Sequence, residues 1–88
     1  MMLDEVHGYV NELMSQGVYD SAEVLGTFLL SSMGASSNAH LTPAMRVEYL
    51  VTYARALVGK GEHVRAIAYY RQALQNCEIH ARKSAGAA

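Results

Sequence analysis

Residues 50–74 read LVTYARALVGKGEHVRAIAYYRQAL, and this stretch decides the fold. Tyr49, Leu50, Tyr53, Ala54, Leu57 and Val58 recur at helical spacing and define one apolar face. Gly61 then interrupts the pattern at a position suited to a positive φ, which glycine adopts without strain. A second helical face follows, built from Ala66, Ile67, Tyr70, Ala73 and Leu74. Two amphipathic helices joined by a glycine turn make an antiparallel hairpin.

Working outward, the N-terminal half repeats the design. Val6, Tyr9, Val10, Leu13 and Met14 share a helix face, Gly17 marks a turn, and Ala22, Leu25, Gly26, Leu29 and Met33 form the next face. Val24, Phe28 and Leu30 widen that face, so this second helix is expected to lie between neighbours. Superposing Gly17 on Gly61 pairs Tyr9 with Tyr53, Leu13 with Leu57, Ala22 with Ala66 and Leu30 with Leu74, at an offset of 44 residues. Gly26 falls where the second half has Tyr70. Between the halves lies GASSNAH, polar and without periodicity, hence a loop. Thr42-Pro43 restarts a helix, the threonine as cap and the proline at the first helical position. The pattern predicts an all-α domain over 1–80, with helices at 3–16, 19–33, 42–59 and 63–79. They pair as hairpins 3–33 and 42–79 around a loop at 34–41. The last residues, 81–88, read as a flexible tail or the start of a linker.

The second half resembles the tetratricopeptide pattern, in which small residues sit where paired helices cross. Ala54, Ala66 and Ala73 occupy those positions, Gly61 the turn, and Tyr70 the aromatic position; Ala22 is the first-half counterpart of Ala66. Loop 34–41 accounts for the excess of the offset over the usual 34-residue repeat. Glu78 stands where a closing proline is usual. The fold class implied is a tetratricopeptide-like stack of two antiparallel helix hairpins.

A narrower resemblance covers nearly the whole chain. GVYDSAEVLGTFLLSSM, a polar loop and TPAMRVEYLVTYARALVGKGEHVRAIAYYRQALQ are similar to the N-terminal region of the subunit-seven family of the anaphase-promoting complex (cyclosome). That resemblance implies a non-catalytic scaffold within a cell-cycle ubiquitin ligase, in the nucleus and cytoplasm, and a much longer parent protein. It also implies partners of two kinds, other subunits of the complex and a second copy of the chain. Phe28 and Leu30 near the N-terminal end, and Ile67 and Tyr69 on the last helix, are the candidate interface residues. Tyr69 lies off the Ala66–Tyr70–Ala73 face and is expected to be exposed. The rival function is a peptide-binding adaptor of co-chaperone type. Such domains clamp carboxylates with Lys, Arg and Asn, whereas here Asn11, His7 and Arg55 stand among Asp4, Glu5 and Glu12. Tyr9, Tyr49, Tyr53, Tyr69 and Tyr70 could line a groove, but packing between helices accounts for most of them.

Composition narrows the classes further. Residues 1–44 hold five acids and no Lys or Arg, whereas residues 45–88 hold seven basic residues and three acids, giving −5 and +4. Such polarity can draw one end of a molecule toward the opposite end of another. An overall charge of −1 and a pI near 6.4 argue against nucleic-acid binding. The charge-free stretch from Val24 to Met45 is broken by serines, Asn38, His40 and Pro43, so it is no membrane span. Acidic Asp4 and Glu5 oppose a secretory signal, and one cysteine, Cys77, suits a reducing intracellular setting. Cys77 and His80 could share a helix face, but His7, His40 and His63 fall on other elements and complete no metal site. Gly59–Gly61 (GKG) follows a helix and lacks the rest of a phosphate loop. No catalytic residue, cofactor, metal or small-molecule substrate is expected.

Overall fold

The computed structural model describes residues 3–33 and 42–87, with side chains as far as 79. Four helices follow one another: α1 (Leu3–Ser15), α2 (Tyr19–Met33), α3 (Pro43–Gly59) and α4 (His63–Ala87). They form two hairpins, α1–α2 and α3–α4, stacked through α2 and α3. No strand occurs among the described residues, and loop 34–41 lies outside them.

Both hairpin turns are closed in the same way, 44 positions apart. Gly17 and Gly61 take φ of 77° and 83°, values that strain any residue with a Cβ. Gly17 N–H donates to Met14 O at 3.0 Å and Val18 N–H to Leu13 O at 2.9 Å. Gly61 N–H donates to Val58 O at 2.9 Å and Glu62 N–H to Leu57 O at 2.9 Å. This is the paired closure of a helix C-terminus by a left-handed glycine, which satisfies carbonyls the helix cannot reach. At the start of α3, the Thr42 hydroxyl accepts from Met45 N–H at 3.1 Å and Pro43 opens the first turn, as the sequence predicts.

The core lies along α3. Tyr49, Leu50, Thr52, Tyr53, Ala54, Ala56 and Leu57 are all buried, so α3 is covered on most of its circumference. The sequence reading expected α2 to lie between neighbours, and it does pack on both α1 and α3. It buries fewer residues than α3, namely Ala22, Gly26 and Leu29, while Val24 and Phe28, expected to widen its apolar face, are exposed. The reason is positional: α2 has one hairpin partner and one stacked neighbour, whereas α3 meets α1, α2 and α4. One cluster joins Val6, Val10, Ala22, Leu29, Tyr49 and Ala56; the other joins Tyr53, Ala54, Leu57 and Ala66.

α4 runs to Ala87, past the end expected at 79 and through the residues expected as a tail. Ala81, Arg82 and Lys83 favour helix, and no proline follows Glu78 to stop it.

Candidate interaction surfaces

The seam between the hairpins is apolar at its centre and charged at one edge. At the centre, α2 approaches the Tyr53 ring so closely that a Cβ on Gly26 would lie 2.5 Å from Tyr53 Cδ1. The Tyr53 ring meets Tyr69 edge-on, with centroids 4.7 Å apart. Its hydroxyl accepts from Arg65 Nη2 at 3.2 Å and from Thr27 Oγ1 at 3.3 Å. A similar approach occurs at the other end of α3, where a Cβ on Gly59 would overlap the Tyr19 ring.

At the charged edge Lys60 pairs with Glu23, with Asp20 at 3.3 Å and with Glu62 at 3.6 Å. Arg65 Nη1 lies 3.0 Å from Glu23 Oε2 and 2.8 Å from Glu62 Oε1. The Lys60 ammonium, helped by Arg65, holds the Glu23 carboxyl below its usual range against an opposing effect of burial. Glu23 in turn raises Lys60, and Glu62 with Glu23 raises Arg65. Part of the opposite charge of the two halves is therefore matched inside the molecule. A carboxyl with a lowered value stabilises the fold above its unfolded value of about 4.5 and loses that contribution as pH falls through its folded value. Glu23→Gln is accordingly expected to lower the urea midpoint near pH 7 and to flatten its decline toward pH 3. An unchanged pH profile would show that Glu23 does not couple the hairpins.

On the far side of α3 the contacts are polar but sheltered. Tyr49 OH donates to Asp4 Oδ1 at 2.9 Å, and His7 Nε2 lies 2.7 Å from Thr52 Oγ1. The His7 ring also packs 4.9 Å from that of Tyr49. Burial, reinforced by Asp4, pushes Tyr49 up to about 12, so its hydroxyl stays a proton donor. His7 is half-buried in this network.

Of the residues expected to pack the repeats, Ala22, Ala54, Ala66 and Ala73 are buried, and Gly61 takes the turn. Tyr70 is only partly covered, at 38% exposed. Tyr69, expected outside, is half-buried against Tyr53. Ala66, Tyr69 and Ala73 stand at i, i+3 and i+7, and this face of α4 meets α3, which turns Tyr70 outward. The four candidate interface residues separate in the same way. Leu30 and Tyr69 belong to the inner cluster, whereas Phe28 (50% exposed) and Ile67 (49%) are outside. Phe28 lies with Tyr9 and Val24 on the first hairpin; Ile67 lies with Tyr70 and Leu74 on α4. The sequence reading placed Gly26 on the apolar face of α2 but missed its close approach to Tyr53. The available signal was the superposition itself, which set a glycine opposite Tyr70.

A cleft of about 190 Å³ is lined by Asn11, Met14, Ser15, Tyr19 and Arg55. Among the described residues, no group of three metal-ligating side chains comes together, and no helix is long and apolar enough to cross a membrane.

The chain is therefore an all-α stack of two helix hairpins, each with exposed apolar residues. It is similar to anaphase-promoting complex subunit 7 of Arabidopsis thaliana, at 42% identity over 74 residues. The match covers 84% of this chain and 13% of that protein. The resemblance read from the sequence is therefore borne out over most of the chain. No family model and no solved structure matches the chain.

Proposed function

We propose that this chain is a non-catalytic scaffold module of an anaphase-promoting complex, a cell-cycle ubiquitin ligase of the nucleus and cytoplasm. It acts by packing against other subunits and against a second copy of itself. The observation that carries this reading is the similarity to subunit 7, which extends over 84% of the chain. Exposed apolar residues at both ends of the stack support it, because faces of that kind commonly mark protein contacts. The in-chain pairing of Glu23 with Lys60 and Arg65 leaves less charge to steer copies together, so apolar packing is the main force expected. The test is sedimentation of the purified chain at about 0.05 M and about 0.5 M salt. The expected outcome is a dimer in both. A monomer at tens of micromolar in both overturns the self-association, and a dimer lost only in high salt assigns it to charge.

The adaptor alternative has one observation in its favour: the Arg55 guanidinium in a cleft with Asn11, Ser15 and Tyr19 could take a carboxylate. Titration with short peptides bearing a free C-terminus distinguishes the two. Saturable binding that is lost in Arg55→Ala favours the adaptor, and no binding favours the scaffold.

A further inference from the structure

Pro43 is the one proline of the sequence, so Thr42-Pro43 is its one Ser/Thr-Pro pair. Both residues are exposed. Thr42 has φ −76° and ψ 157°, the extended backbone that a following proline favours. Its Oγ1 accepts from Met45 N–H at 3.1 Å, a role that leaves the hydroxyl proton for transfer. An exposed hydroxyl on extended backbone is the form in which a protein kinase takes its acceptor. Pro43 adds selectivity. It has no N–H, so it fits a kinase subsite that offers no acceptor, where any other residue would bury an unpaired donor.

A phosphate on Thr42 would meet groups that favour it. Since Pro43 has no N–H, Ala44 and Met45 supply the early donors of α3. No acid stands in the first turn of α3. Glu48, its first acid, sits about 120° around the helix from Thr42. Arg46 lies one turn on from Thr42, and its guanidinium makes no ion pair among the described residues. On the α4 side, Pro43, Ala44 and Val47 line an apolar cleft with Cys77, so no carboxylate opposes the phosphate there. A phosphate brings roughly −1.5 to −2 of charge at pH 7 and three acceptor oxygens, which a helix start and an arginine can pair.

We propose that Thr42 is the acceptor of a proline-directed serine/threonine kinase, and that its phosphate is held on the start of α3 by the N–H groups of Ala44 and Met45 and by Arg46. In the transfer, Thr42 Oγ1 attacks the γ-phosphorus of ATP. The bond from that phosphorus to the bridging oxygen breaks, ADP leaves with the electron pair, and the hydroxyl proton passes to a carboxylate of the kinase. A neutral cap thereby becomes an anionic one, on the helix whose Met45 packs against the first core cluster. No second copy is needed, so this assignment stands or falls apart from the self-association proposed above.

The purified chain, treated with a mitogen-activated protein kinase and radiolabelled ATP, is expected to take up a single phosphate that mass spectrometry maps to Thr42. Thr42→Val and Pro43→Ala, shown to be folded by far-UV circular dichroism, are expected to take up almost none. No uptake by the unmodified chain, uptake on another residue, or undiminished uptake by Pro43→Ala overturns the proposal. A second experiment needs no kinase, because peptide ligation places phosphothreonine at position 42 directly. In urea unfolding near pH 7 its folded-to-unfolded ratio is expected to rise about three- to tenfold over that of the unmodified chain, and by less in Arg46→Ala. Phosphorus NMR is expected to place the second ionisation of the folded chain's phosphate below its ordinary value of about 6. A lowered value means that the added stability is fully present above the ordinary value and shrinks as pH falls through the folded one. A phosphate that titrates as it does in the unfolded chain and leaves the urea midpoint unmoved also overturns the proposal.

Discussion

Tyr49→Ala is expected to cost about 3–5 kcal/mol, the range for removing a fully buried aromatic side chain. Tyr49 has no exposed surface and belongs to a cluster that takes in Val6 and Val10 of α1 and Ala22 and Leu29 of α2. It thus ties the second hairpin to both helices of the first. Small single domains have only about 5–15 kcal/mol of stability, so the loss is a large fraction of the whole. Urea unfolding followed by circular dichroism measures it, and a loss under about 1 kcal/mol would refute the role assigned to Tyr49. Tyr49→Phe separates the ring from the hydroxyl. It keeps the packing and removes only the bond to Asp4, so about 0.5–1.5 kcal/mol is expected.

Gly26→Leu is the second large effect. Overpacking a tight contact usually costs about 1–3 kcal/mol and occasionally more. Three features place this site at or above the top of that range. The first atom added would already lie 2.5 Å from Tyr53 Cδ1. The ring cannot swing away, because it is buried, edge-packed on Tyr69 and hydrogen-bonded by Arg65 and Thr27. Opposing this, a glycine in mid-helix gives up about 1 kcal/mol of helix propensity, which leucine recovers almost fully. The net expectation is a loss of about 2 kcal/mol or more, or roughly 10 °C in melting temperature for a chain this size. A chain as stable as the original would mean that the hairpins pack without the Gly26–Tyr53 contact.

Gly26 also shows what a sequence reading sees and misses. In the linear pattern it is a missing aromatic, and helix propensity alone calls it a defect. Only the distance to Tyr53, 27 positions along the chain, shows that the gap is filled. Arg65 and Glu23 are comparable. Their charges were legible as an imbalance between halves, but whether that imbalance meets another copy or folds onto itself depends on distances, here 3.0 Å within one molecule.

The chain's local chemistry determined the four helices, their order and their turns. Helical spacing of apolar residues, a threonine and a proline at the start of α3, and glycines at 17 and 61 act through nearest neighbours and the backbone, so they can be read in one dimension. Ala22, Ala54, Ala66 and Ala73, named from the repeat resemblance, are buried in the structure. Tertiary structure decided how each helix is rotated about its own axis. Neighbouring positions on a helix differ by about 100°, and a broad apolar face leaves several rotations open. Contacts from distant helices chose among them. They covered Tyr69 more than Tyr70, made α3 the most buried helix, and left Phe28 and Ile67 exposed on different hairpins.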